Sequence, residues 1–285
     1  MLVILCLLVV SATAKPKKKT KKTDGKTTIK CPLQKKLDKD GIGACPPTGC
    51  GRVDPLLNEQ KNTTDGNPDS ARDITFADFA AMPKLVDGYK KIGADRKPLR
   101  DAGEGNMVRV VAWALDARPQ NTRSLSKRGE SCNCGFTGVK DPENTDVHIV
   151  LVDDETLKLK AKATKAKPPS AKNPNGVKAK TAAFKTLKKR EAQSQTAEYA
   201  PRVRVALSED FDGAKLKTLI NPTKGGRLQV RVTGLLMYDS EHALGGHALL
   251  RHTDWEIHPV FRLEFCPKGK VCSEGGDATW VDINK

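Results

Sequence analysis

The stretch Trp255-Glu-Ile-His-Pro-Val-Phe-Arg-Leu-Glu-Phe265 is the clearest strand in the sequence and decides the expected fold. Every second residue from Trp255 to Phe265 is apolar. Because the side chains of a strand alternate between its two faces, these residues share a face that we expect to pack in the core. The opposite face then carries Glu256, His258, Val260, Arg262 and Glu264.

Four further short strands are predicted from apolar or alternating runs that turn residues separate. They span Met107–Leu115, Asp146–Val152, Arg202–Leu207 and Leu228–Tyr238, and one weak helix is predicted over Phe76–Ile92. Five strands in roughly 160 residues, with a long basic insertion, indicate a mainly β fold. We expect a small, partly closed barrel resembling the OB type, with a β-sandwich as the alternative.

The positive charge is concentrated in two segments outside the predicted strands. The formal net charge of the 285 residues is +16, of which Lys15–Lys30 contributes +7 and Thr156–Arg190 contributes +12, so the remainder is at −3. Such segments can bind nucleic acid or an anionic membrane or wall polymer, or can act only as solvated spacers. The polyanion-binding candidates are Lys17, Lys18, Lys19, Lys21, Lys22, Lys185, Lys188, Lys189 and Arg190.

The amino terminus has the pattern of a signal peptide. The apolar run Met1–Val10 is too short to span a bilayer, and Ser11-Ala-Thr-Ala14 has the small residues that a signal peptidase cleaves after. We therefore expect a secreted or periplasmic protein, with envelope association as one variant and with no transmembrane helix in the mature chain.

The predicted division is a signal peptide at 1–14, a Lys-rich disordered segment at 15–30, an irregular, partly helical extension at 31–106, a barrel domain at 107–266 with an insertion at 156–193, and a tail at 267–285.

Eight cysteines, one of them Cys6 in the apolar run, fit the same oxidising compartment. The other seven predict three disulfides with one thiol left over, and Cys266 and Cys272 are placed to close a short loop. Zinc is the alternative for the two cysteine clusters at 45–50 and 132–134, although neither has the spacing of a zinc ribbon. A nucleophilic thiol at 132 or 134, paired with His148, is a further hypothesis.

Three histidines each follow a carboxylate by two or three residues, in Asp146-Val-His148, Asp239-Ser-Glu-His242 and Glu256-Ile-His258. A carboxylate beside an imidazole orients the ring, so converging pairs predict a divalent-metal site or a general acid–base pair. The metal candidates are Asp146, His148, His242 and His258, and the catalytic candidates are Glu198, Arg202 and Glu256. The alternative is that these groups lie on a solvated face of the sheet, or that local hydrogen bonds satisfy the imidazoles.

The chain resembles a family of uncharacterised bacterial exported proteins that has no known function. The resemblance rests on Gly49-Cys-Gly51, Asp54-Pro-Leu-Leu-Asn58-x-x-Lys61-Asn62, Glu130-Ser-Cys-Asn-Cys134, Asp146-x-His148-Ile-x-Leu151, Glu198-x-x-Pro201-Arg202, Val230-Arg-Val-Thr-Gly234 with Asp239 to His242, and Arg251-x-Thr253-x-Trp255-Glu-Ile-His-Pro259. It implies a fold unit and a set of marked polar positions, but no activity. Those positions are Glu130, Asn133, Asp146, His148, Glu198, Arg202, Asp239, His242, Glu256 and His258.

Three functions remain open from the sequence. The first is an exported module that binds a polyanion through the two basic segments. The second is a metal-dependent nuclease or phosphodiesterase built on the Asp, Glu and His pairs, with a divalent metal as cofactor. The third is a structural envelope protein. No Gly-x-Ser-x-Gly, His-Glu-x-x-His or phosphate-binding glycine loop occurs to decide among them.

Overall fold

The computed structural model describes residues 27–83, 96–119, 130–137, 140–158, 194–207, 213–220, 228–240, 252–273, 276 and 279–285. The strands are β1 (Thr27–Ile29), β2 (Gly51–Val53), β3 (Arg72–Asp73), β4 (Met107–Pro119), β5 (Val147–Val152), β6 (Gln195–Tyr199), β7 (Leu228–Tyr238), β8 (Trp255–Phe265) and β9 (Val281–Asp282). The helices are α1 (Gln34–Asp40), α2 (Pro55–Lys61), α3 (Phe76–Ala81), α4 (Lys97–Asp101), α5 (Asp154–Lys158), α6 (Pro201–Ala206) and α7 (Gly213–Ile220).

Five strands close into a barrel. The order β4-β5-β6-β8-β7 is completed by antiparallel pairing of β7 back to β4, and only the β6–β8 pair of this ring is parallel. The long strand β4 pairs with β7 over Met107–Ala114 and with β5 over Trp113–Pro119. Its register with β5 shifts between Ala114 and Asp116, a local bulge that bends a strand. The short strands β3 and β9 add to β4 and β8. The predicted mainly β barrel is confirmed, and the ring is fully closed.

Alternation along the strands builds the core as the sequence predicts. In β4 every second residue from Val108 to Ala114 is buried, while the residues between them are half-buried. The apolar face of β8, including Trp255, Ile257 and Leu263, joins the same core cluster. Tight closure also depends on Gly234, where an added Cβ would lie 2.4 Å from the carbonyl oxygen of Pro259 on the neighbouring strand.

One predicted strand is wrong, because Arg202–Leu207 belongs to helix α6. Pro201 occupies the first turn, where its fixed φ suits a helix and its missing N–H is not needed. The apolar residues that suggested alternation do not share a face, since Val203 is fully buried and Val205 is 67% exposed. The strand in this part of the ring is β6, which sequence reasoning missed because Gln195-Thr-Ala-Glu-Tyr199 is too polar to read as a buried strand.

Three disulfides join the described cysteines, Cys31–Cys50, Cys45–Cys134 and Cys266–Cys272. Cys132 is the free thiol among them and is buried. The predicted three pairs with one thiol over are therefore confirmed, and a cysteine-only zinc site at the two clusters is ruled out.

The weak helix predicted over Phe76–Ile92 is confirmed in its first part as α3, which begins with a capping box between Thr75 and Asp78. Positions 84–92 lie outside the described residues, as do 1–26 and most of the basic insertion. None of the described helices combines the length and apolar composition that crossing a membrane requires.

Candidate metal centre

Three adjacent strands place carboxylates and imidazoles on one face of the sheet. His148 of β5 pairs directly with Glu198 of β6, so their side chains share a face. Ala197, the residue before Glu198, pairs with Ile257 of β8 and belongs to the apolar face. Glu198 therefore shares its face with the two β8 residues that flank Ile257, namely Glu256 and His258.

This polar face is buried beneath the amino-terminal extension. Helix α2, which Asp54 caps by accepting a hydrogen bond from the Leu57 amide, brings Lys61 over the sheet. The following residue, Asn62, donates from Nδ2 to the carbonyl oxygen of Cys132 at 3.0 Å. The Cys45–Cys134 disulfide fixes the same turn from the other direction. The alternative of a solvated polar face is wrong, because Glu198, Glu256 and His258 are fully buried.

His258 is held in an orientation that suits a metal ligand. Its Nδ1 lies 3.4 Å from Glu198 Oε2 and 3.4 Å from Glu256 Oε1. Because Glu256 can accept a hydrogen bond from Nδ1, it favours the tautomer with the proton on Nδ1 and a lone pair on Nε2. Within the described residues Nε2 makes no hydrogen bond, and it lies 3.9 Å from Asp146 Oδ2. A buried imidazole nitrogen thus faces a carboxylate with space between them.

Asp146, Glu198 and His258 form a set in which one ligand atom of each lies within 4.8 Å of the others. Ligands about 2.0–2.2 Å from a zinc ion lie about 3.3–3.5 Å apart in a tetrahedron. The separation of His258 Nε2 from Asp146 Oδ2, 3.9 Å, is close to that geometry. Imidazole and carboxylate groups are among the ligands of zinc, and carboxylates also suit manganese. The residues of this set therefore fit a divalent cation.

Burial raises the pKa values of two carboxyl groups of the centre. Burial, followed by the charge of Glu130, raises the pKa of Asp146 well above its ordinary value. Burial, followed by the charge of Glu256, does the same to the pKa of Glu198. Desolvated carboxylates of this kind either hold protons or bind a cation, because isolated buried charges are too costly.

Lys61 supplies a buried positive charge within the centre. Burial by itself lowers its pKa, but the attraction of Asp239, Glu130 and other neighbours is stronger, so the pKa lies well above the ordinary value and the amine stays charged. Burial also acts on Glu130, whose pKa nevertheless falls because Lys61 stabilises its ionised form. The charge of Lys61 also lowers the pKa values of Asp146 and Glu198 against the stronger effect of burial.

A second set of ligand atoms shares Asp146 with the first. Glu130 Oε2 lies 3.3 Å from the thiol of Cys132, and that thiol lies 3.8 Å from Asp146 Oδ2. The three residues again bring one ligand atom each within 4.8 Å of the others. Burial, then the charges of Glu130 and Asp146, raise the pKa of Cys132 well above its usual range. A nucleophilic role for Cys132 is therefore disfavoured, and Cys134 is in a disulfide.

The predicted site residues divide into three groups. Asp146, His148, Glu198, Glu256 and His258 come together in the centre, with His148 Nε2 3.1 Å from Glu198 Oε1. Arg202 is half-buried on α6, where its Nη2 donates to the carbonyl oxygen of Ile42. His242 and the basic residues at 17–22 and 185–190 lie outside the described residues.

Lys61 is absent from the site residues that the sequence predicts, and Cys132 enters them only as a nucleophile or as part of a zinc cluster. Lys61 lies 69 residues before Glu130 in the chain, and no pattern around it marks a buried ion. Both residues stand inside the segments that carry the family resemblance, which was the signal available for them. Comparison of the chain with protein-family models, curated proteins and solved structures found no match.

Proposed function

We propose that this protein is a metal-dependent hydrolase of phosphodiesters whose cation is bound by Asp146, Glu198 and His258. The observation that carries the proposal is the buried His258, whose Nδ1 contacts two glutamates while its Nε2 has no hydrogen bond among the described residues and faces Asp146. Carboxylate, imidazole and metal arranged in this order are a common design of metal sites. Simple structural packing would not require three ionisable ligands in one dry cluster.

The neighbouring cations favour an anionic substrate. Arg202 contributes a guanidinium whose Nε has no hydrogen-bond partner in the described part of the chain, and Lys61 adds a second charge. Such groups stabilise the charge of a phosphoryl group undergoing attack. The pKa of Arg202 is lowered by burial, yet an arginine keeps its charge at neutral pH.

The reaction would be hydrolysis by a metal-activated water. Asp146, Glu198 and His258 would hold the cation, which would supply a water of lowered pKa; attack of that water on phosphorus would break the bond from phosphorus to one ester oxygen. The proton lost by the water ends on that leaving oxygen. His148 is the group suited to carry it, because its side chain is 13% exposed and it contacts Glu198.

The test is hydrolysis of bis(4-nitrophenyl) phosphate by the purified protein. Chelation should abolish turnover, and zinc, manganese or magnesium should restore it. Asp146→Asn and His258→Ala should each lower turnover by at least about 100-fold. His252→Ala is the matched control, because His252 is exposed and lies outside the centre. A metal-loaded protein without turnover, or equal turnover after chelation, would refute the proposal.

We further propose that the natural substrate is a polyanion such as nucleic acid, which the basic segments at 15–30 and 156–190 attract after export. The support is the concentration of +19 formal charges in these segments. Three disulfides suit an oxidising compartment, and the signal peptide at 1–14 stays a prediction. A structural envelope role, the remaining hypothesis, has no observation of its own in its favour.

Deleting residues 15–26 and 159–190 tests the role of the basic segments. The deletion spares β1, which begins at Thr27, and α5, which ends at Lys158. Binding of duplex DNA should fall steeply with salt in the full mature chain and should weaken by at least about tenfold in the deletion variant. Turnover of the small phosphodiester should not change. Undiminished DNA binding by the deletion variant would contradict the proposal.

A further inference from the structure

The thiol of Cys132 occupies a position that the proposed single cation does not explain. Its Sγ lies 3.3 Å from Glu130 Oε2 and 3.8 Å from Asp146 Oδ2, and Asp146 Oδ2 is the same atom that lies 3.9 Å from His258 Nε2. Asp146 therefore belongs to two sets of ligand atoms, and the sets share no other member. A shared carboxylate between two sets is the arrangement of a bridging ligand.

The turn that carries Cys132 is fixed independently of any cation. The amide of Cys50 donates to the carbonyl oxygen of Ser131 at 3.0 Å, and Asn62 holds the carbonyl oxygen of Cys132 itself. Gly49 is required here, because it has a φ of +68° and its Cβ would lie 2.2 Å from the Ser131 oxygen. The Cys45–Cys134 disulfide fixes the chain two residues after Cys132. The thiol therefore has a preset direction, as the side chains of a preorganised metal site do.

A second observation points to a ligand at the same place. Asn133 is 1% exposed, and neither its Oδ1 nor its Nδ2 makes a hydrogen bond of normal geometry within the described residues. Its side chain nevertheless lies beside Asp146, whose pKa it helps to lower against the stronger effects of burial and Glu130. A buried amide that makes no hydrogen bond of normal geometry is rare, and an amide oxygen is an acceptable ligand for a cation.

We propose that Glu130, Cys132 and Asp146 bind a second cation of the zinc class, with Asp146 bridging the two ions and the Asn133 amide at the edge of the site. The proposal rests on the proposed function, since it requires the first cation on Asp146, Glu198 and His258. Thiolate sulfur selects borderline or soft metals such as zinc over magnesium and calcium. Two cations about 3.5–4 Å apart can hold the attacking and the leaving oxygen of a phosphodiester at once.

The arrangement that competes with a second cation has the charge of Lys61 in its place. Its ammonium group is attracted by Glu130 and Cys132 as well as by Asp239, so it can neutralise this side of the centre without a second metal. The two arrangements differ in the number of metal ions bound and in the state of the sulfur. With a second cation the sulfur is a bound thiolate, whereas with Lys61 alone it stays a thiol.

The test uses cobalt(II) as the probe on the full mature protein. Equilibrium dialysis should give two cobalt ions per chain, and the near-ultraviolet absorption should contain a thiolate-to-cobalt band. Cys132→Ser should bind one ion and lose the band, and His258→Ala should keep the band. Glu130→Gln, which retains the thiol, should bind the second ion at least about tenfold more weakly and serves if the serine variant does not fold.

The outcomes separate the two proposals. One ion per chain, no band and no change in Cys132→Ser would overturn the second cation and leave the first in place. One ion with a band would place Cys132 in a single centre and would also overturn the proposal. No bound cobalt in the wild-type protein would remove the proposed function itself.

Discussion

Lys61 is the residue whose placement says most about the centre. It is 3% exposed and lies among acidic groups, of which Asp239 is the strongest contributor to its raised pKa. Removing one partner from a buried ion cluster leaves uncompensated charge, which is more damaging than the loss of an exposed ion pair. At the residue scale, the fold and the site therefore depend on the same side chain.

Lys61→Met should destabilise the metal-free protein by about 3 kcal/mol, measured by urea unfolding, because the methionine keeps the length and removes the charge. The matched control is Lys97→Met on α4, where the ion pair with Asp101 is more than half exposed on both sides. That change should cost less than about 0.5 kcal/mol. Equal effects of the two substitutions would show that Lys61 is not a counter-ion of the acidic cluster.

At the scale of elements, the Cys45–Cys134 disulfide ties the amino-terminal extension to the turn at Ser131–Asn133. It links cysteines 89 residues apart, whereas Cys266 and Cys272 are only six apart. Cross-links that close longer loops restrict the unfolded chain more strongly. The longer link also sits next to Cys132, so it supports the geometry of the centre as well as the stability of the fold.

Replacing Cys45 and Cys134 by alanine should lower the free energy of unfolding by about 3–5 kcal/mol and weaken metal binding by about 10–100-fold. Replacing Cys266 and Cys272 should cost about 2 kcal/mol and leave metal binding unchanged. Calorimetric titration with zinc measures the affinities. The account of the turn fails if both double variants bind zinc as the wild type does.

Alternation and turn residues were enough to predict β4, β5, β7 and β8, because these strands bury a continuous apolar face. They were not enough for β6, whose polar residues are buried by contact with the centre and by hydrogen bonds such as Thr253 Oγ1 to Gln195 Oε1. The histidine and carboxylate pairs predicted part of the centre. The cover could not be predicted, since the approach of α2 and the 130–134 turn is set by tertiary contacts and a disulfide.

At the scale of the whole molecule, the buried acids link stability to pH. In the unfolded chain Asp146 and Glu198 titrate near 3.8 and 4.5, and in the folded protein their pKa values are raised well above these. Above the ordinary values of 3.8 and 4.5, the folded state therefore binds more protons than the unfolded chain does. The free energy of unfolding falls as pH rises through the raised pKa values. Glu130, with a lowered pKa, acts oppositely, but its contribution is complete once pH exceeds its ordinary 4.5.

We expect the thermal midpoint of the metal-free protein to fall as pH rises from roughly 5 to roughly 8. Saturating zinc should remove or reverse that fall, because the cation competes with the protons and replaces them at neutral pH. Differential scanning calorimetry with and without chelator makes the comparison. Parallel pH profiles in the two conditions would show that the acidic cluster and the metal do not share ligands.

The central claim is a cation between His258 Nε2 and the carboxylates of Asp146 and Glu198, and anomalous diffraction locates such a cation directly. Crystals grown with zinc, measured on both sides of the zinc absorption edge, should give a peak about 2.0–2.2 Å from these three side chains. The peak should be absent from His258→Ala crystals grown in the same way. A wild-type map without a peak at this position, or with zinc only at surface residues, would contradict the account.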